Sequence, residues 1–255
     1  MANENTNFFN RGGVATVDQA TFDVGLRAHM IRVYNYMASG LALSGIVALA
    51  LFNVEGLAAI FFDIRMTAAG NARVVGLNAL GWVAILAPLG LLLLVSFRAQ
   101  KMSVTSVQAV YWAVTALMGV SLSLLLFRYT GASVARTFFI TAAAFGALSL
   151  YGYTTKKDLS GLGKFLFMGV IGLILAGIVN MIWPSGTLNF VISAAGVLIF
   201  SGLIAYDTQR IKEQYADAWG SDVQEKVAIF GALSLYLDFV NLFQFLMSFL
   251  GQNRE

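Results

Sequence analysis

Two aspartates, Asp207 and Asp238, stand in stretches whose other residues belong in lipid. An ionised carboxylate at such depth is costly and faces a protein partner or a water-filled cavity. Asp238 also lies in a stripe. At 100° per residue, Ser234, Asp238, Asn241, Gln244 and Ser248 fall within roughly 120° of one helix face, and apolar side chains fill the other faces. A stripe of this kind belongs inside a bundle, either as a satisfied polar network or as the lining of an ion or proton path. Ionisable groups within a membrane favour the path. Asp207, in Tyr206-Asp207-Thr208-Gln209-Arg210, closes the preceding apolar stretch, where a carboxylate can also simply reach the interface. About twenty residues join the two stretches, with Gly220 and Ser221 as a turn and helix cap. Antiparallel neighbours so joined can bring the aspartates together. Two carboxylates meeting in a dry site cannot both ionise cheaply and titrate as a unit, which makes a proton-controlled latch. Deprotonated, Asp207 and Asp238 offer transient oxygen ligands suited to Ca²⁺ rather than to a soft metal. Arg98, which ends an earlier apolar stretch on the same side, is either a topology anchor or a switchable ion-pair partner for Asp207.

The composition defines the setting of these groups. Of 255 residues, 58% are hydrophobic and 11% charged, against about 25% charged in a soluble domain. This is an all-α integral membrane protein; a membrane β-barrel would show short alternating segments of about 10 residues. The net charge of +3 fits basic loops rather than nucleic-acid binding. Cysteine is absent, so there is no thiolate site and no cysteine nucleophile.

Residues 1–33 read as a polar to amphipathic cytoplasmic segment, and residues 34–255 as the membrane domain. Asn3, Asn5, Asn7, Asn10, Gly12 and Gly13 predict a disordered start. Phe22, Leu26, Met30 and Val33 then have the spacing of an interfacial helix. No early apolar core or cleavage site is present, so the first span is expected to act as the targeting signal.

Seven apolar stretches follow: Tyr34 to Val54, Leu77 to Phe97, Val107 to Phe127, Ala132 to Tyr153, Phe165 to Trp183, Leu188 to Tyr206 and Val227 to Leu250. Each approaches the ~20 residues a helix needs to cross a bilayer core. Pro88 is expected to kink the second. Eleven of the sixteen Lys and Arg, Lys156 and Lys157 among them, fall on the side of the N-terminus. That places the N-terminus in the cytoplasm and the C-terminus outside, unless the polar seventh stretch is re-entrant. Gly40 with Ser44, Gly119 with Ser123 and Ala142 with Gly146 have the spacing of close helix packing.

Other chemistries find little support. Gly161-Leu162-Gly163-Lys164 lacks the spacing and preceding strand of a phosphate loop. The single histidine, His29, precedes the membrane domain, which disfavours a serine hydrolase or zinc protease in the bundle. The last span has no lysine for a Schiff base. The protein is expected not to be an enzyme and to need no cofactor.

The run from Ala232 to Phe243, ALSLYLDFVNLF, resembles the C-terminal signature of the Bax inhibitor-1 family. Ile204 to Ile211, Tyr153 to Ser160 and Leu26 to Met37 resemble further motifs of that family and its bacterial branch. The resemblance implies seven transmembrane helices with the last one central and wrapped by the other six. It also implies a pH-sensitive calcium leak of the bacterial inner membrane, closed by a buried pair matching Asp207 and Asp238, with a second-helix arginine, matched by Arg98 from its position, exchanging with the pair. On that reading Ser234, Asn241, Gln244 and Ser248 line the pore, and Ca²⁺ and protons are the permeant or sensed ions. An alternative role, seen in some bacterial members, is a non-transporting modulator that restrains a membrane-anchored AAA+ protease through the N-terminal segment.

Overall fold

A computed structural model describes residues 10–66, 72–215 and 220–254. The polar start before Asn10, and Asp217 in the last connection, lie outside them. The helices are α1 (Asn10–Asn53), α2 (Glu55–Phe61), α3 (Ala79–Arg98), α4 (Val104–Arg128), α5 (Gly131–Thr154), α6 (Ser160–Ile182), α7 (Gly186–Glu213) and α8 (Ser221–Leu250). Seven of them, all except α2, are long and apolar enough to cross a membrane.

The amphipathic segment and the first span form one continuous helix, and Gly12 and Gly13 lie inside it. At 1.5 Å per residue its 44 residues run to about 66 Å, twice the ~30 Å bilayer core. The connection after α1 carries elements that hydropathy does not announce. There α2 leads into an antiparallel hairpin of β1 (Phe62–Met66) and β2 (Ala72–Leu77). Asn78 closes this cap: its amide donates to the carbonyls of Ala59 and Ile60, and its side-chain oxygen accepts from Gly81 N–H at the start of α3.

The last helix is the most buried span. In α8, 61% of the apolar window is buried, against at most 33% in any other span. Its main packing partners are α7, α1, α5 and α4, whereas α3 packs on α4 and α6 on α7. The ring around α8 is therefore made chiefly by four helices rather than six. With 30 residues and about 45 Å of length, α8 is long enough to cross a membrane and lacks the break that a re-entrant segment needs. The C-terminal tail is tied to the α4–α5 turn, where Thr130 N–H donates to Gln252 O and Arg254 N–H to Arg128 O.

Small residues set the helix distances. A Cβ on Gly40 would strike the Tyr111 hydroxyl, and one on Gly119 would lie 2.8 Å from Ser44 O, so α1 and α4 cross at close range. Ser44 Oγ donates to either Thr115 O (2.7 Å) or Gly40 O (2.9 Å) and shares a 2.6 Å hydrogen bond with Tyr236 of α8. Three helices meet at this one hydroxyl. Tyr236→Phe is expected to cost about 1 kcal/mol, read as a lower melting temperature in detergent; an unchanged melt would show that the bond is energetically idle. Gly146, by contrast, has nothing within 4 Å of its Cβ position. Gly146 therefore faces open space, while Ala142 packs against the core, and the pair does not form one close helix contact.

Candidate functional site

The sequence of α7 stays helical past the expected end of the sixth span, through Glu213. Asp207 is therefore not at a helix end but about 9 Å inside one, and only 6% exposed. The joining segment shortens accordingly, from about twenty residues to the few between Glu213 and Ser221. Gly220 is the N-cap of α8 and makes no side-chain capping bond. Asp238 lies in the middle of α8 and is likewise 6% exposed.

The hairpin of α7 and α8 brings the two carboxyls together. Asp238 lies beside Asp207, and its Oδ2 is buried without a hydrogen-bond partner among the described residues. Ser234 Oγ donates to Asp207 Oδ2. Arg210, one turn along α7, pairs with Asp207 Oδ1 at 3.2 Å and donates to Ser234 Oγ at 3.2 Å. Its guanidinium also stands 5.6 Å from the centre of the Tyr206 ring. One cation thus balances one of two carboxylates. The second must carry a proton, meet a cation, or be repelled.

Arg98 is not part of this cluster. It ends α3, is exposed, and has no ion pair with Asp207. The arginine beside the pair is Arg210, four positions from the residue that closes the apolar stretch. Its i, i+3 spacing from Asp207 places both on one helix face, a signal available in the sequence.

The polar stripe of α8 faces α7 at both ends but does not continue through the middle. Ser248, although exposed, accepts from Ser193 Oγ at 2.8 Å and from Asn189 Nδ2 at 3.4 Å. Between this group and the aspartates, the rings of Phe200 and Phe245 stack with centroids 5.7 Å apart. Gly196 lies against the Phe245 ring, where any Cβ would collide with it. Asn241 and Gln244 are half-buried, and Asn241 donates its amide to Leu237 O on its own helix. The helical stripe is thus an inner carboxyl cluster and an outer hydroxyl pair, about 20 Å apart along α7, with an aromatic layer between.

A second set of hydroxyls backs the cluster. Thr208 Oγ1 donates to Ile204 O (2.7 Å), so Ser149 Oγ donates to Thr208 (3.0 Å) and Tyr34 to Ser149 (2.6 Å). Gln209 fastens the α5–α6 loop by accepting from Leu159 N–H and donating to Lys157 O, both at 2.8 Å. Lys212 donates to Tyr153 O at 2.8 Å. The whole Tyr206 to Lys212 segment is thereby held from several sides. Asp158, in that loop, accepts from Ser160 N–H, which holds its carboxyl below the usual range.

Comparison with known proteins identifies the family. A family model described as "Inhibitor of apoptosis-promoting Bax1" matches residues 26–255. The chain belongs to the Bax inhibitor-1 family. Among its family relatives, an uncharacterised protein of Caulobacter vibrioides is 49% identical over 98% of this chain and 100% of its own. Protein RP147 of Rickettsia prowazekii is 43% identical over 94% and 96%. The inner membrane protein YbhL of Escherichia coli is 40% identical over 90% and 94%. Within this Bax inhibitor-1 chain, Asp207 and Asp238 fall in the two segments whose resemblance to the family was read from the sequence.

Two carboxyls and one serine hydroxyl are few ligands for calcium, which takes 6–8 oxygens. Among the described residues no group of three His, Cys, Asp or Glu side chains is placed to hold a metal.

Proposed function

We propose that this protein is a pH-sensitive Ca²⁺ leak of the bacterial inner membrane, gated where α7 meets α8. The observation that carries the reading is the buried contact of Asp207 with Asp238 beside a single arginine. While one proton is shared, the pair and Arg210 hold α7 against α8 and the Phe200–Phe245 layer stays shut. Loss of that proton leaves two carboxylates against one guanidinium, and their repulsion parts the helices. The separated carboxylates then offer oxygens to an entering cation. Ser234 belongs to the gate, Asn241 and Gln244 to the path, and Ser248 to its far mouth. Arg98 anchors α3 at the basic face, and the exchange role passes to Arg210. The N-terminus lies in the cytoplasm, as the excess of Lys and Arg on that side favours.

Ca²⁺ flux from liposomes across a pH series tests this. Asn at position 238 is an uncharged donor, like the protonated acid, so Asp238→Asn should give a low flux that no longer varies with pH. Arg210→Gln should alter the profile and Arg98→Gln should not. A wild-type pH profile in Asp238→Asn would refute the gate.

A second role, restraint of a membrane-anchored AAA+ protease, draws on one feature: α1 is far longer than the bilayer requires. Deleting residues 1–18 separates the two roles. A modulator loses protease association, while a leak keeps its liposome flux.

A further inference from the structure

Spans α1 and α5 both pack on α8 and leave between them a cleft of about 480 Å³, within the range of small-molecule sites. We propose that this cleft binds one anionic phospholipid, with an acyl chain in the cleft and the phosphate at Arg27.

The walls point to an acyl chain. The lining is mostly apolar, with Met30, Ile31, Phe145 and Leu150 among its residues, and Ile31 and Leu150 are 50% and 63% exposed. Both walls belong to helices long and apolar enough to cross a membrane, and with those helices in a bilayer the cleft opens toward lipid. Gly146 is the reason the cleft exists: no atom comes within 4 Å of its missing Cβ. The hydroxyls at the floor, Tyr34 and Ser149, bond to each other and to Thr208, so they need nothing polar from an occupant.

The charge points to the headgroup. Arg27 is exposed at one end of the cleft, and Tyr153 lines the same end. The Lys212 ammonium lies 5.6 Å from the Tyr153 ring centre, which adds a second cation. Asp23 lies one turn further out on α1. From Arg27 to Tyr34, or Phe145 to Tyr153, the cleft runs about 10–12 Å along the helices. That covers most of one leaflet, roughly half of a ~30 Å core. A single chain with an anionic head at the Arg27 end fits this polarity, in the cytoplasmic leaflet under the orientation proposed above.

The test uses the full chain in detergent, offered phosphatidylglycerol or phosphatidylcholine with the same chains, and native mass spectrometry to count bound lipid. Wild type should retain one phosphatidylglycerol, with a preference over phosphatidylcholine of about fivefold or more per headgroup cation. Gly146→Leu should lose retention of both, whereas Gly45→Leu, another glycine with open space at its Cβ position, should not. Arg27→Gln should retain both lipids and cut the preference by about fivefold, the share of one cation. The proposal is overturned if wild type keeps no lipid, or if Gly146→Leu and wild type retain it equally. An undiminished preference in Arg27→Gln overturns it as well, and that exposed substitution needs no repacking.

Discussion

Phe245→Ala is expected to raise the resting Ca²⁺ leak by about tenfold or more, equivalent to at least ~1.4 kcal/mol off the barrier. The reason lies in what separates the two polar ends of the hairpin. Phe245 stacks on Phe200 and covers Gly196, so its removal leaves a gap between α7 and α8 at that level. Water can then bridge the carboxyl cluster and the Ser193–Ser248 mouth, and an ion no longer has to shed its hydration to pass an apolar layer. Phe245→Leu should restore most of the block, since the layer requires bulk and apolarity more than an aromatic ring. The pH profile of Phe245→Ala should flatten as well, because a gate held open by a missing ring no longer depends on a shared proton. Liposome flux measures all three variants. A correctly folded Phe245→Ala protein with wild-type leak would mean that ions do not pass between α7 and α8.

Much of the frame could be read from the chain before any coordinates, and particular residues show where that reading stops. Seven spans were visible because about 20 apolar residues in a row have few alternatives. Asp238 was visible because its polar neighbours recur at helical spacing on one face. Asp207 was visible as a residue but misplaced in depth, since Thr208, Gln209 and Arg210 look like the polar end of a span when they are in fact bonded inside the protein. Polarity marks the end of lipid contact, not the end of a helix. Arg98 and Arg210 were equally basic in composition, and the i, i+3 spacing along α7 is what sets Arg210 beside the carboxyl. Phe200 and Phe245 could not be singled out among twenty phenylalanines, because a ring facing lipid and a ring stacked on its neighbour leave the same mark in sequence. The hydroxyl relay from Tyr34 to Thr208 spans residues far apart in the chain and depends on the register of three helices.

Glycines draw the same boundary most sharply, and they carry the largest stability effect. Gly152→Leu is expected to cost at least ~3 kcal/mol, at or beyond the upper end of overpacking penalties, and to leave little folded protein in a detergent melt. A Cβ at Gly152 would overlap the carbonyl oxygen of Ala205, which is backbone and cannot rotate away. To make room, α5 and α7 must separate where Gln209 holds the α5–α6 loop and Ser149 reaches Thr208. The carboxyl cluster rides on that same stretch of α7, so any protein that does fold should also lose the wild-type pH response. Gly146→Leu, less than two turns away on the same helix, meets open space and should melt within about 1 kcal/mol of wild type. The spacing of Ala142 and Gly146 announces a packing site in the sequence, and Gly152 has no such partner; the contacts reverse that order. Equal melting of the two variants would show that α5 and α7 do not approach as closely as the Gly152 contact requires.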